Sequence, residues 1–153
     1  MPFRYRVEDV LPHARPMILI DEIICKGADM LSAGLTVRPG VLFFEAERGV
    51  PAHVAIEWMA QACGAFVGVE ALDAGHAVRP GLLLGTRNFR ASIPWFKPND
   101  RLVVTVTMVL RDQEVGAFDC VVAGSNGQEL AQARLLLQNL SGPTDLLVIR
   151  DQG

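Results

Sequence analysis

His53, Glu57 and Gln61 stand four residues apart, a spacing that stacks them on one face of a helix, with Gly64 and Gly68 continuing the line. A carboxyl group in such a stripe can donate a proton or a hydrogen bond if its surroundings withdraw water, because burial favours the uncharged acid near neutral pH. The neighbours are of that kind: Val54, Ile56, Trp58, Met59, Ala62, Cys63, Phe66 and Val67. Glu57 is therefore the candidate acid. The glycines leave room for an elongated ligand, so Gln61, Gly64 and Gly68 are candidate substrate-binding positions. The structural alternative is that Glu57 and Gln61 bond backbone groups of a neighbouring strand or pair across a subunit interface. His53 is either a ligand contact or a surface residue at a helix start. The same start offers backbone N–H groups, from Ala52 and His53, to polarise a thioester or carbonyl oxygen.

A single long helix must carry these groups. Residues 51–72 hold no internal proline, and Pro51 sits where a first-turn proline is tolerated. The segment is apolar over most of its circumference, so other structure must enclose it. Before it, residues 17–25 and 31–37 read as strands joined by a turn at Lys26-Gly27-Ala28-Asp29. After it, residues 82–89, 101–111, 114–123 and 128–139 read as strands, the last two joined through Ser125-Asn126-Gly127. Residues 41–50 fit neither period and read as loop. Two strands, a helix and four strands predict an α+β fold, an antiparallel sheet wrapped around one central helix. Residues 1–140 are expected to form that single domain and residues 141–153 a polar C-terminal tail.

The chain has 153 residues, half of them hydrophobic and 20% charged, enough to build one core and, at a mean hydropathy of +0.28, to spare apolar surface for a subunit interface. A net charge of −3 argues against a general grip on nucleic acid. Locally, Arg87, Arg90, Lys97 and Arg101 outnumber Asp100. That stretch is either a solvated edge or, through Arg87, Arg90 and Lys97, a docking patch for an anionic phosphopantetheine carrier. Cys25, Cys63 and Cys120 have neither disulfide nor metal spacing. His13, His53 and His76 lack the partners of a zinc site, and no Gly-rich phosphate loop or GxSxG elbow is present. No metal or cofactor is implied. The start of the chain has no apolar signal core, and the greasiest stretch, residues 54–72, carries Glu57, Gln61 and Glu70, so a cytoplasmic protein outside the membrane is expected.

Three motifs resemble the 3-hydroxyacyl-acyl-carrier-protein dehydratases of type II fatty acid and polyketide synthesis. Leu11-Pro12-His13 with Arg15-Pro16-Met17-Ile18-Leu19-Ile20-Asp21 is similar to their N-terminal segment, and Glu57-Trp58-Met59-Ala60-Gln61 to their helix motif. Gly85-Thr86-Arg87-Asn88-Phe89-Arg90, leading to Pro98-Asn99-Asp100, is similar to their strand and turn. Within the family the chain looks nearest the branch of aryl-polyene pigment clusters. The resemblance implies a hotdog fold, a homodimer or a heterodimer with a related dehydratase, and a substrate held on acyl carrier protein. It also implies a carboxylic acid at Glu57 working with a loop histidine, but counting back without a gap puts Phe43 at that position. His13 and His53 then remain as candidate bases. Otherwise the chain is a non-catalytic partner subunit or acyl-thioester-binding relative; a hotdog thioesterase is the third reading.

Overall fold

The computed structural model describes residues 2–13 and 17–139. Arg15 and Pro16 of the N-terminal motif, and the tail expected from residue 141, lie outside them. In chain order the elements are α1 (Val7–Val10), β1 (Glu22–Lys26), β2 (Met30–Thr36), β3 (Val50–Pro51) and α2 (Ala55–Asp73). There follow β4 (Gly81–Ala91), β5 (Trp95–Phe96), β6 (Arg101–Asp112), β7 (Val115–Gly124) and β8 (Glu129–Asn139).

Alternating side chains decide which face of the sheet meets the helix. Leu102, Val104 and Val106 of β6, Phe118, Cys120 and Val122 of β7, and Ala131, Ala133, Leu135 and Leu137 of β8 are buried, each two residues from the next and so on one face. Six strands form one antiparallel sheet in the order β1-β2-β6-β7-β8-β4. Against its inner face lies α2, with Trp58, Met59, Ala62, Cys63, Phe66 and Val69 buried. The Phe66 and Phe118 rings meet edge to face at 5.5 Å, a geometry suited to aromatic quadrupoles. The two hairpins expected from turn chemistry are present. Gly27 N–H donates to the Met30 carbonyl, and Gly124 N–H donates to that of Gln128.

The helix begins later than the sequence suggests. Pro51 is extended (φ −58°, ψ 144°), and Val50–Pro51 pairs with Trp95–Phe96 in a small second sheet. The fixed φ of proline suits a helix start and an extended strand alike, and here pairing with β5 decides. A 3-10 turn at Ala52–Val54 leads into α2. Gly49 beside that sheet has φ +99°, and a Cβ there would stand 1.9 Å from the Phe96 carbonyl oxygen. Only glycine lets the two backbones approach this closely.

Candidate active site

Gln61 anchors the site. Its side chain is buried on α2, where its Nε2 donates to the Met17 carbonyl at 2.6 Å and its Oε1 accepts the Leu19 N–H at 2.7 Å. The amide thereby supplies what a strand neighbour would have supplied, and ties the N-terminal motif to the helix. Asp21 fixes the far end of that motif, accepting the Thr36 N–H at 2.9 Å and a bidentate pair of bonds from Arg38 at 2.9 and 3.1 Å. Of the two readings open for Gln61, the backbone-bonding one describes what its polar atoms do.

Between α2 and the β4–β8–β7 side of the sheet lies a cavity of about 620 Å³. Glu57, Gln61 and Gly64 line it from the helix, His13 and Met17 from the N-terminal segment, and Phe43 from the loop before β3. Leu83, Val115, Phe118 and Leu137 supply apolar wall from the sheet. Phe43 is 52% exposed with φ +70°, a left-handed conformation costly for a bulky residue. The loop therefore holds a strained aromatic at the cavity mouth, at the position where the family resemblance places a histidine.

Four expectations need correction. Glu57 is exposed in this chain, so the burial expected from its apolar neighbours is absent: the N-terminal segment covers the turn at Gln61 but not the turn before it. Ala52 does not offer a free N–H, because it donates to the Pro94 carbonyl at 3.0 Å. Gly68 does not make space for a ligand either, since a Cβ there would stand 2.0 Å from the Val10 carbonyl oxygen. That space is filled by α1. His53 is exposed and is not among the residues lining the cavity. His13, by contrast, shares the cavity with Glu57.

Arg87, Arg90 and Lys97 are all exposed. Arg87 pairs with Arg134 and Arg90 with Gln132 across a register shift in β4. Arg134 and Gln132 both point away from α2, so the bulge brings Arg87 and Arg90 to the same outer face. Cys63 and Cys120 meet at 3.8 Å in the core; burial, with Cys120 beside it, pushes the Cys63 thiol well above its ordinary range and leaves it unreactive. Among the described residues no group of three or more His, Cys, Asp or Glu is placed to hold a metal ion, and no helix is long and apolar enough to cross a membrane.

Sequence reasoning missed two features of the site. Arg79 lines the cavity, but no motif or periodicity marks it. The stretch 82–89 reads as a strand without showing that it is an edge, where Leu82, Leu83 and Leu84 are 47%, 40% and 50% exposed beside the unpaired side of β4.

Residues 5–147 match the family model described as ApeP dehydratase, ApeP-like. No curated protein matches the chain. Among solved structures, the dehydratase heterocomplex ApeI:P from Xenorhabdus doucetiae is similar at 29% identity and a TM-score of 0.87, over 96% of this chain and 98% of that one. The Escherichia coli PaaI protein from the phenylacetic acid degradation operon gives a TM-score of 0.60 at 14% identity, over 76% of this chain and 80% of that one. A hypothetical thioesterase from Streptococcus pneumoniae, solved with coenzyme A, gives 0.61 at 12% identity, over 78% and 85%. These two speak to the fold alone, which is the hotdog fold.

Proposed function

The chain belongs to the ApeP-like family of dehydratases, and from that premise we propose that it is one subunit of a dehydratase acting on 3-hydroxyacyl thioesters of an acyl carrier protein. A second, related hotdog chain completes its site. The observation that carries this reading is the incompleteness of the cavity. Glu57 and Phe43 stand exposed at its mouth, and its flank ends at β4, an 11-residue edge strand with three half-exposed leucines. A long apolar edge is a template for pairing with another chain. The similarity to a structure that is itself a dehydratase heterocomplex supports a two-chain assembly.

In the reaction a base removes a proton from C2, the C3–O bond breaks, the C2=C3 bond forms, and the hydroxyl leaves as water with a second proton. Glu57 is the donor of that second proton. Covering the mouth would withdraw water from it, and a carboxyl deprived of water holds its proton more tightly. The partner chain supplies the base, because Phe43 has no basic atom. Gly64 and the apolar wall carry the acyl chain, while Arg87 and Arg90, on one outer face with Lys97 nearby in sequence, attract the acidic carrier.

A second reading has its own observation: His13 lines the same cavity as Glu57, which makes it a base the chain could use by itself. Mass spectrometry of a 3-hydroxyacyl carrier protein separates the readings. Loss of one water only when a related dehydratase chain is added, and its disappearance with Glu57→Gln, is the expected result. Water loss by this chain alone, abolished by His13→Asn, would assign the base to His13. An undiminished rate with Glu57→Gln in the mixed enzyme would reduce this chain to a supporting partner, and release of the acyl group from the carrier would make it a thioesterase.

A further inference from the structure

The cavity has a second polar end that dehydration does not use. Its wall follows α2 from Glu57 past Gly64 to Val67, about 15 Å along the axis at the helical rise. At the far end the starts of β4 and β7 stand level on either side of β8, for Leu82 and Val115 both pair with Gln138. Arg111, also on the wall there, is held by Glu70 at 2.7 Å, which places this end beside the second half of α2. Arg79, two residues before β4, lines the same wall and is only partly exposed. Unlike Arg111, it makes no hydrogen bond, ion pair or ring contact with any other described residue.

A guanidinium carries five donors and cannot shed its charge. Gln113, Glu114 and Gln138 line the same cavity, but none of them bonds the Arg79 guanidinium, and holding it partly out of water without an acceptor is costly. A ligand that supplies the acceptor recovers that cost.

We infer that Arg79 is an anion-binding position of the cavity, and that the thioester taken there carries an anionic oxygen group about 15 Å from the carbons beside Glu57. The inference rests on the acyl-thioester reading above. Two parts of such a ligand have the required chemistry: a carboxylate ending the acyl chain, and the phosphate of the phosphopantetheine arm. Each presents paired oxygens that a planar guanidinium binds through two parallel bonds.

Three probes test this by titration calorimetry on the full chain assembled with the related dehydratase chain: decanoyl pantetheine, which is neutral, decanoyl phosphopantetheine, and the pantetheine thioester of decanedioic acid with its free terminal carboxylate. None carries a 3-hydroxyl, so none can be dehydrated. One anionic probe is expected to bind about tenfold or more tightly than the neutral one, and which one it is identifies the source of the anion. Arg79→Met should remove that advantage and leave the neutral probe's affinity unchanged, whereas Arg79→Lys should keep part of it. Equal binding of all three probes, or equal weakening of all three by Arg79→Met, would overturn the assignment to Arg79 and leave the acyl-thioester reading standing. Failure of all three probes to bind would overturn the acyl-thioester reading itself, whereas anionic probes that bind where the neutral one does not would be the expected preference in its strongest form.

Discussion

Replacing Gln61 by Leu tests whether its amide belongs to the fold or to a ligand. The side chain is 7% exposed and makes two short bonds, from Nε2 to the Met17 carbonyl at 2.6 Å and from the Leu19 N–H to Oε1 at 2.7 Å. Leucine is of similar size but satisfies neither group, and each of these part-buried backbone groups left unpaired costs about 2 kcal/mol. The added apolar burial returns roughly 1 kcal/mol. A net loss of about 3 kcal/mol is expected, which for a chain of this size lowers Tm by roughly 10 °C. Urea unfolding should show the midpoint fall with the slope unchanged. Gln61→Glu sharpens the test, because an ionised carboxylate can still accept the Leu19 N–H but faces the Met17 carbonyl with a second acceptor. Protonation restores a donor, so the stability gap between this variant and the wild type should narrow as pH falls. A Gln61→Leu protein as stable as the wild type, yet unable to bind an acyl thioester, would refute the argument and return the amide to the ligand.

Glu57 is exposed and makes no bond to another described residue, so Glu57→Gln should leave stability within about 0.5 kcal/mol while slowing dehydration by the assembled enzyme about 100-fold or more. Denaturant unfolding and initial rates read the two separately, and a destabilised variant of full activity would count against the assignment. Gly68→Ala places a Cβ 2.0 Å from the Val10 carbonyl oxygen. Despite a gain of about 1 kcal/mol in helix propensity, displacement of α1 should leave it less stable by about 1–3 kcal/mol, with faster amide exchange at Val10 and unchanged ligand affinity; a more stable variant would show that α1 yields freely. Asp119 accepts two bonds from Arg134, at 2.7 and 3.1 Å, which hold its carboxyl below the ordinary value of 3.8. A depressed value stabilises the fold above about pH 3.8 and loses that contribution as pH falls through the lowered one. The difference in stability between wild type and Asp119→Asn, under about 1 kcal/mol for so exposed a pair, should therefore vanish in strong acid, and a difference that persists there would need another cause.

What could be read from the sequence depended on whether the deciding interaction was local. The alternation in residues 101–111 and the Ser125-Asn126-Gly127 turn specify a strand and a hairpin without help from elsewhere, and both are present. The extended state of Pro51 was not legible, because proline's φ serves two structures and β5, more than 40 positions later, chooses between them. The helical stripe shows the same limit at the site. His53, Glu57 and Gln61 do share a spacing, but their environments are set by whatever crosses the helix at each turn. The N-terminal segment crosses at Gln61 and buries it, while Glu57 is left open. Gly68 is small for a reason no spacing rule contains, the passage of the Val10 backbone. Arg79 was not legible because what marks it is its place on the cavity wall without a partner among the described residues.

The cavity mouth joins assembly to chemistry. Met17 and Phe43 are 53% and 52% exposed, and Leu83 is 40% exposed; together with Glu57 they line one opening. Burying the exposed half of each apolar side chain contributes roughly 1 kcal/mol, so a second chain laid over the opening gains about 3 kcal/mol there before pairing along β4 is considered. Covering Glu57 works against this. A neutral carboxyl taken from water without a new bond costs about 1–3 kcal/mol, an ionised one several more. The apolar rim can offset the first cost but not the second. A partner that closes over this mouth therefore favours the protonated acid, which is the state the proton donor of a dehydration must be in. The exposure of Glu57 in the single chain and its proposed role as an acid are then compatible, because the same contact that completes the enzyme withdraws the water.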